Sequence, residues 1–331
     1  MTGFFCIFDL LGMSMVQLYG FDIGGTKIEF AVFNQKMEIL HVQRMETPKN
    51  DYALFLKVIT DFIGNQDLKS GELGTIGIGL PGQQIHGGIT RCNNIPCIDG
   101  RYLQADLEEI VGRPVKIAND ANCFALSESF EKSLITSSSV LALILGTGFG
   151  AGLVINGDLY EGHNGASLEV GHMRLPCDAQ ELLGNTVSLV KCRCGQTGCL
   201  DHYLSGRGFA DLYNHRYSSS DDHVISAEEI TRRYYQGDHK AQIHINEYLE
   251  LLAMSISGLL VVLDPEVVVF GGGLSNFNAI YDKLPELLKK YTLNNRPIPS
   301  IRKAAFGDSG GVRGAALLNV TDDGLAAILD S

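Results

Sequence analysis

Glu169-Val170-Gly171-His172 is followed, after nineteen intervening residues, by Cys192-Arg193-Cys194-Gly195-Gln196-Thr197-Gly198-Cys199-Leu200-Asp201. One histidine and three cysteines stand here at metal-ligand spacing, and Zn2+ takes such donors in a tetrahedron. The Cys-x-Cys pair needs a tight reversal, which the glycines between the last two cysteines permit. Four protein ligands leave no open coordination position, so the segment reads as a structural zinc site on His172, Cys192, Cys194 and Cys199. Cys177, in the same segment, is the alternative ligand, and two carboxylates, Glu169 and Asp201, flank the set.

Around this segment lies a chain of 331 residues, 45% hydrophobic and 19% charged. That composition is globular, and the length exceeds what one core usually serves, so two domains are expected. A formal charge of −12, with no run of Lys or Arg, disfavours binding to a nucleic-acid backbone. Cys6, Cys92, Cys97, Cys123 and Cys177 fall into no regular framework, which suits a reducing compartment, the cytoplasm. The apolar run at 4–11 contains Asp9, lacks a basic flank and is far short of a membrane span, so neither signal nor anchor is expected. Residues 1–16 read as a disordered leader.

Strands predicted at 17–21 and 28–33 bracket Asp22-Ile23-Gly24-Gly25-Thr26-Lys27. A turn of this kind presents backbone N–H groups and a hydroxyl to an anion, while Asp22 is placed to hold a hydrated Mg2+. The competing reading is a plain hairpin turn. A helix follows at 52–63, then a buried strand at 75–80 ending in Pro81-Gly82. Residues 83–99 read as a loop that offers Asn93 and Asn94 to a polyol, although asparagine also favours turns for local reasons. A helix at 101–111 capped by Gly112 leads to a strand at 115–118, and Asn119-Asp120 then precedes a helix at 121–130. Ligands of open α/β sheets collect at such a strand end, where an aspartate can take a proton from an attacking hydroxyl; the same residue also suits a helix N-cap.

The strand at 140–145 runs into Gly146-Thr147-Gly148-Phe149-Gly150-Ala151-Gly152. This matches the dinucleotide pattern G-x-G-x-x-G/A, yet such a turn must open a helix, whereas Leu153-Val154-Ile155 continues as strand toward Asn156-Gly157. Two glycine-threonine hairpins therefore point to an internal duplication, and two such turns facing one another would clamp a polyphosphate. Ser226 with Glu229 forms a capping-box pattern, and a helix at 239–263 is ended by Asp264-Pro265. A strand at 266–270 feeds Gly271-Gly272-Gly273, where a flat base can lie on bare backbone or where elements simply pack closely. A terminal helix at 312–320, rich in small residues, is expected to dock on the first domain. No low-complexity linker occurs, which predicts a shared cleft and hinge.

In this order, the two Gly-Thr turns, Gly79-Leu80-Pro81-Gly82, Asn119-Asp120, Glu169-Val170-Gly171-His172, the Cys192-x-Cys194-Gly195-x-x-Gly198-Cys199 cluster and Gly271-Gly272-Gly273 resemble the ROK family of sugar kinases and repressors. The resemblance covers nearly everything from Leu18 to Asn319. It implies an α/β, actin-like ATPase (ribonuclease H-like) fold of two domains around a cleft: 17–120 with about 308–331, and 121–307 carrying the zinc. It implies ATP-dependent phosphorylation of a hexose 6-hydroxyl, N-acetylglucosamine ahead of glucose, N-acetylmannosamine or fructose, with Mg2+ accompanying ATP.

On the same resemblance Asp22, Gly24, Gly25, Thr26, Lys27, Gly146, Thr147 and Gly148 hold the phosphates, and Gly271, Gly272 and Gly273 lie near the nucleoside. Gly82, Asn93 or Asn94, Asn119, Asp120, Glu169, His172 and Asp201 would contact the sugar. Asp120 would be the base, and His172 would bind zinc with one nitrogen and face the sugar with the other. A homodimer is implied as well. The family's usual glutamate after the last cysteine is Asp201 here, one methylene shorter. A lost carboxylate–hydroxyl bond costs roughly 1.5–3 kcal/mol, about 10- to 150-fold in affinity. The reading from another class is a sugar-responsive repressor, which would need a helix-turn-helix ahead of the first glycine turn; the 21 residues before Asp22 are expected to be too few.

Overall fold

A computed structural model describes residues 17–184, 189–217, 224–294 and 296–320. The expected leader and the tail after Val320 lie outside the described residues. The chain divides into two compact units. One takes the described residues up to Ser127, Glu161–Ala166, and those from Ser309 on; the other takes Glu128–Tyr160 and Ser167–Asp308.

In the first unit, β1 (Leu18–Ile23) and β2 (Lys27–Phe33) form an antiparallel hairpin, with β3 (Ile39–Glu46) antiparallel on its outer edge. Helix α1 (Tyr52–Ser70) leads to β4 (Thr75–Leu80), parallel to β1. A small hairpin of β5 (Gln83–Ile85) and β6 (Ile89–Arg91), then α2 (Leu103–Val111), precede β7 (Val115–Asn119), which lies parallel to β4. Helix α3 (Asp120–Ser129) follows without a break, and the sheet order is β3-β2-β1-β4-β7. The central strands read as continuous apolar runs because both faces are covered. Phe55, Ile59, Phe62 and Leu107 of α1 and α2 pack against Phe21, Phe30 and Ile78 on one side. Val312 and Ala316 of a terminal helix pack against Leu18, Ala31 and Phe33 on the other.

That terminal helix, α10 (Gly310–Leu317), docks on the first unit's sheet as the small residues predict. Gly20 and Gly77 make its close approach possible: a Cβ at either would overlap the carbonyl oxygen of Val312 or Ala315. One sequence expectation changes here, and one strand is added. Residues 83–99 are not simply loop, since they hold the β5–β6 hairpin and a 3-10 turn at Pro96–Ile98. Strand β3 escapes a pattern search because Ile39, Leu40, Val42 and Met45 are exposed on an edge, without the alternation a half-buried strand shows.

The second unit repeats the plan. β8 (Ser139–Leu145), β9 (Phe149–Ile155) and β10 (Asp158–Leu159) form an antiparallel meander. Then come α4 (Cys177–Leu183), α5 (Asp201–Leu204), α6 (Gly206–Tyr217), α7 (Ala227–Tyr235) and α8 (His239–Leu263). β11 (Val267–Gly271) pairs parallel to β8, and after α9 (Ala279–Tyr291) β12 (Ser300–Lys303) pairs parallel to β11. The order β10-β9-β8-β11-β12 matches the first sheet in sequence and direction. The duplication read from two turns thus extends to whole sheets. Antiparallel pairing of β8 with β9 bears out the rejection of a dinucleotide turn.

Helix α8 is long and apolar enough to cross a membrane, but 61% of its apolar window is buried inside the protein. Ile245, Leu249, Leu252 and Ile256 belong to the second unit's core, which accounts for its hydrophobicity. It ends where predicted, with Asp264 in the left-handed region ahead of Pro265. At α7 the Ser226 hydroxyl caps Glu229 N as expected, while the Glu229 carboxylate pairs with Arg232 and Arg233. Helix α9, not anticipated, carries Pro285 in its interior, which interrupts the helical signal.

Candidate functional site

The metal segment is built on backbone before side chains. A 3-10 turn, Val170–His172, follows Glu169, and isolated bridges from Arg174 to Cys199 and from Lys191 to Thr197 bring the cysteine loop back beside it. Cys192 N donates to Gln196 O at 2.7 Å and Gly195 N to Cys192 O at 3.0 Å, making a knuckle that needs positive φ at Gly195 and Gly198. As a result His172, Cys192, Cys194 and Cys199 place one ligand atom each within 4.8 Å of all the others. Cys192 Sγ is 3.6 Å from His172 Nδ1, and Cys194 Sγ is 3.5 Å from Cys199 Sγ. Cys177, the alternative ligand, is an exposed thiol at the start of α4 and is not in the cluster.

Burial, reinforced by its two thiol neighbours, pushes the Cys199 thiol up to about 12, while the Gln196 backbone lowers Cys194. Burial beside other thiols disfavours a bare Cys199 thiolate, and a cation bound among the sulfurs would offset that. The donor set, three soft ligands and one borderline nitrogen with tetrahedral room, fits such an ion. The other ring nitrogen of His172 faces away, with Nε2 3.9 Å from Glu169 Oε2, and both side chains are about half exposed.

The same segment holds the second glycine-threonine turn. Gly146 N donates to Gly148 O at 3.1 Å within the turn, and Gly206 N donates to Gly146 O at 2.7 Å. Asp201 Oδ1 accepts from Phe149 N at 2.8 Å, and Asp201 Oδ2 accepts from Arg207 Nη2 at 2.8 Å. Gly171 lies so close that a Cβ there would overlap Phe149 O, and one on Gly272 would come within 2.5 Å of the Leu145 carbonyl carbon. Gly271 is buried, Gly272 is a packing glycine and Gly273 has open space where a side chain would be. Thr147 and Gly148 are left exposed at the crest.

In the first unit the Asp22–Lys27 turn is closed by Gly24 N on Lys27 O at 2.8 Å. Thr47, which no sequence pattern marks, pins it twice: its hydroxyl donates to Gly24 O at 2.6 Å, and its N–H to Thr26 O at 3.0 Å. Gly25 backs onto the Asn94 backbone, while Thr26 and Lys27 are exposed. Asp22 sits opposite Glu29 in the hairpin register. Burial, then the Glu29 charge, raise its carboxyl above the usual range, with Lys27 opposing. Glu29 itself is held by Arg44 at 2.7 Å and Lys27 at 3.4 Å. Gly311 packs against the Asp22 carboxylate, where a Cβ would stand 2.8 Å from Oδ2.

Asp120 opens α3 directly at the end of β7, and its carboxylate is exposed. Its Oδ1 accepts from Ala121 N at 2.8 Å, shared with Asn119 Oδ1 at 2.9 Å, and Asn119 Nδ2 donates to Gly82 O at 3.2 Å. The first unit therefore groups Gly82, Asn119 and Asp120. Asn93 and Asn94 are exposed in the loop after β6.

Two sheets of one order, each opened by a hairpin with a Gly-Thr turn, define a two-domain, actin-like ATPase fold. The chain belongs to the ROK family, whose model matches residues 18–321. It is 48% identical over 303 residues to the N-acetyl-D-glucosamine kinase of Vibrio atlanticus (strain LGP32), covering 91% of this chain and 99% of that one. Among solved structures it is similar to the ROK hexokinase from Thermus thermophilus, with TM-score 0.77, 30% identity, and 91% and 97% of the two chains covered. A ROK family glucokinase from Streptomyces griseus in complex with glucose and AMPPNP gives TM-score 0.71 and 27% identity over 91% and 98%.

Proposed function

We propose that this chain transfers the γ-phosphoryl group of ATP to the 6-hydroxyl of N-acetyl-D-glucosamine, giving the 6-phosphate and ADP. The observation that carries the reading is 48% identity with a kinase of that name over nearly the full length of both chains. An exposed carboxylate, Asp120, grouped with Asn119 and Gly82 at a strand's carboxyl end supports it.

Asp120 accepts the proton of the 6-hydroxyl as that oxygen attacks the γ-phosphorus and the bond to the leaving ADP oxygen breaks. Such a base contributes about 10²- to 10⁴-fold, the rest coming from positioning and charge neutralisation. Backbone amides and hydroxyls of Gly24, Gly25, Thr26, Gly146, Thr147 and Gly148, with Lys27, hold the phosphates, and Gly273 leaves room beside the nucleoside. Mg2+ arriving with ATP supplies neutralisation; Asp22, whose burial beside Glu29 disfavours a bare negative charge, fits a cation. Asn93 or Asn94, Asn119, Glu169 and His172 contact the sugar. A structural Zn2+ on His172, Cys192, Cys194 and Cys199 keeps His172 in place for that contact. The cytoplasm, where the seven described free thiols persist, and a homodimeric state complete the proposal.

The test is ADP release with Mg-ATP and, separately, N-acetylglucosamine, N-acetylmannosamine, glucose and fructose. A kcat/KM preference of tenfold or more for N-acetylglucosamine supports the reading. Preference for another sugar moves the substrate and keeps the chemistry, and no turnover with any of them favours a sugar-responsive binding protein.

A further inference from the structure

We propose that Asp201 is a positioning residue for the nucleotide side of the reaction, holding the Gly146–Phe149 turn in shape, and is not a ligand of the sugar. The inference rests on the reading that this turn holds the phosphates of ATP. Both carboxylate oxygens of Asp201 are engaged within the second unit, Oδ1 by Phe149 N–H and Oδ2 by the Arg207 guanidinium, each at 2.8 Å. Its side chain is 19% exposed, against 47% for Glu169, so the carboxylate is directed inward where Glu169 is directed out.

The turn needs such a hold. Thr147 and Gly148 must present amides to an anion while their own backbone stays fixed, and a loop of glycines has the most conformational freedom to lose. Three outside groups restrain it: Gly206 N–H on Gly146 O, Gly171 against Phe149 O, and Asp201 on Phe149 N. Two of the three, Gly171 and Asp201, flank metal-cluster residues, adjacent to His172 and two residues past Cys199. The rigid cluster thereby fixes the turn from both ends of its segment. Chain length matters here. Gly148 lies close enough to Asp201 Oδ1 that a Cβ on it would stand 3.2 Å away, so a glutamate would have to carry its oxygen past the Phe149 amide. The aspartate is fitted to the turn, and Arg207 neutralises the charge that remains.

The experiment is steady-state kinetics on Asp201→Ala, Asp201→Asn and Arg207→Ala, together with direct binding of Mg-ADP in the absence of sugar. Asp201→Ala should raise KM for ATP and weaken Mg-ADP by roughly 10- to 100-fold, with KM for N-acetylglucosamine within about twofold of wild type. Asp201→Asn keeps an acceptor for Phe149 N–H and should recover most of that loss. Arg207→Ala leaves the Phe149 bond in place and should shift KM for ATP only several-fold. If Asp201→Ala does not fold, the asparagine and Arg207 variants carry the same split. A rise in the sugar KM with ATP unaffected, or equal losses on both substrates in every folded variant, overturns the assignment. Wild-type protein that binds no Mg-ADP and turns over no sugar overturns the functional reading and this inference with it.

Discussion

His172 divides its two ring nitrogens between two partners: Nδ1 lies 3.6 Å from Cys192 Sγ in the metal cluster, while Nε2 lies 3.9 Å from the Glu169 carboxylate. A ring bound through one nitrogen has its tautomer and its plane decided by that bond, so the other nitrogen is aimed. His172→Cys should separate the two tasks, since a thiolate can complete the tetrahedron but offers nothing beyond it. The expected outcome is protein that keeps one zinc per chain by elemental analysis and loses roughly 10- to 100-fold in sugar KM. Unchanged sugar KM with metal retained would take His172 out of the sugar site.

The proposed zinc is tested through the fold rather than through the contact. Structural zinc contributes on the order of 10–16 kcal/mol of apparent binding energy, as large as the whole stability of a domain. Chelation, or Cys199→Ser at the buried end of the cluster, should therefore lower the melting temperature and the activity together. Thermal melts and rates with and without chelator make the comparison; full activity in metal-free protein would dismiss a structural ion.

Asp120 Oδ1 accepts from Ala121 N in the first turn of α3. Asp120→Asn preserves that acceptor, so the helix start should survive. The variant should fold with wild-type melting behaviour, bind sugar, and lose about 10²- to 10⁴-fold in kcat. Near-normal kcat would remove it from the role of base.

Much of this was legible in the residues, for particular reasons. The cluster of one histidine and three cysteines announces itself because soft donors at fixed spacing have few other uses, and β1, β4, β8 and α8 because burial on both faces writes long apolar runs. Thr47 was invisible: a hydroxyl that pins a residue twenty-three positions away leaves no periodic trace. Asp201 was visible as a residue and not as a partnership, because Phe149 and Arg207 meet it only after the cysteine loop has folded back. Edge strand β3 and proline-bearing α9 fail the pattern for the opposite reason, as exposure and a breaker erase it.

The docking of the terminal helix on glycines predicts a contrast between two substitutions of one chemistry. A methyl at Gly77 would overlap Ala315 O, so Gly77→Ala must push α10 off β4, with an expected cost of about 1–3 kcal/mol or more. Gly64, inside α1, has nothing within 4 Å of a Cβ, and Gly64→Ala should gain about 0.5–1 kcal/mol of helix propensity. Denaturant midpoints of the two variants measure the difference; equal midpoints would mean that α10 is free to shift.

His244 gives the second unit a pH-dependent stability. It is buried between Phe209 and Tyr213, its Nε2 donates to Phe209 O at 2.8 Å, and its Nδ1 has no partner among the described residues, which is the neutral tautomer. Burial lowers its pKa to about 4 from an ordinary 6.5, with the Phe209 carbonyl pulling the other way and the Arg216 charge adding to the fall. Above pH 6.5 the ring is neutral in both folded and unfolded chains and contributes no slope. Between 6.5 and 4 the unfolded chain takes up a proton that the folded one refuses, so stability falls as pH falls across that window, by about 3 kcal/mol in all. Below 4 both forms are protonated and the loss levels off. His244→Gln keeps a donor for Phe209 O and removes the titration, so its stability should fall less steeply than wild type from pH 6.5 to 4.5 in urea unfolding. Parallel pH profiles for the two proteins would place the acid sensitivity elsewhere.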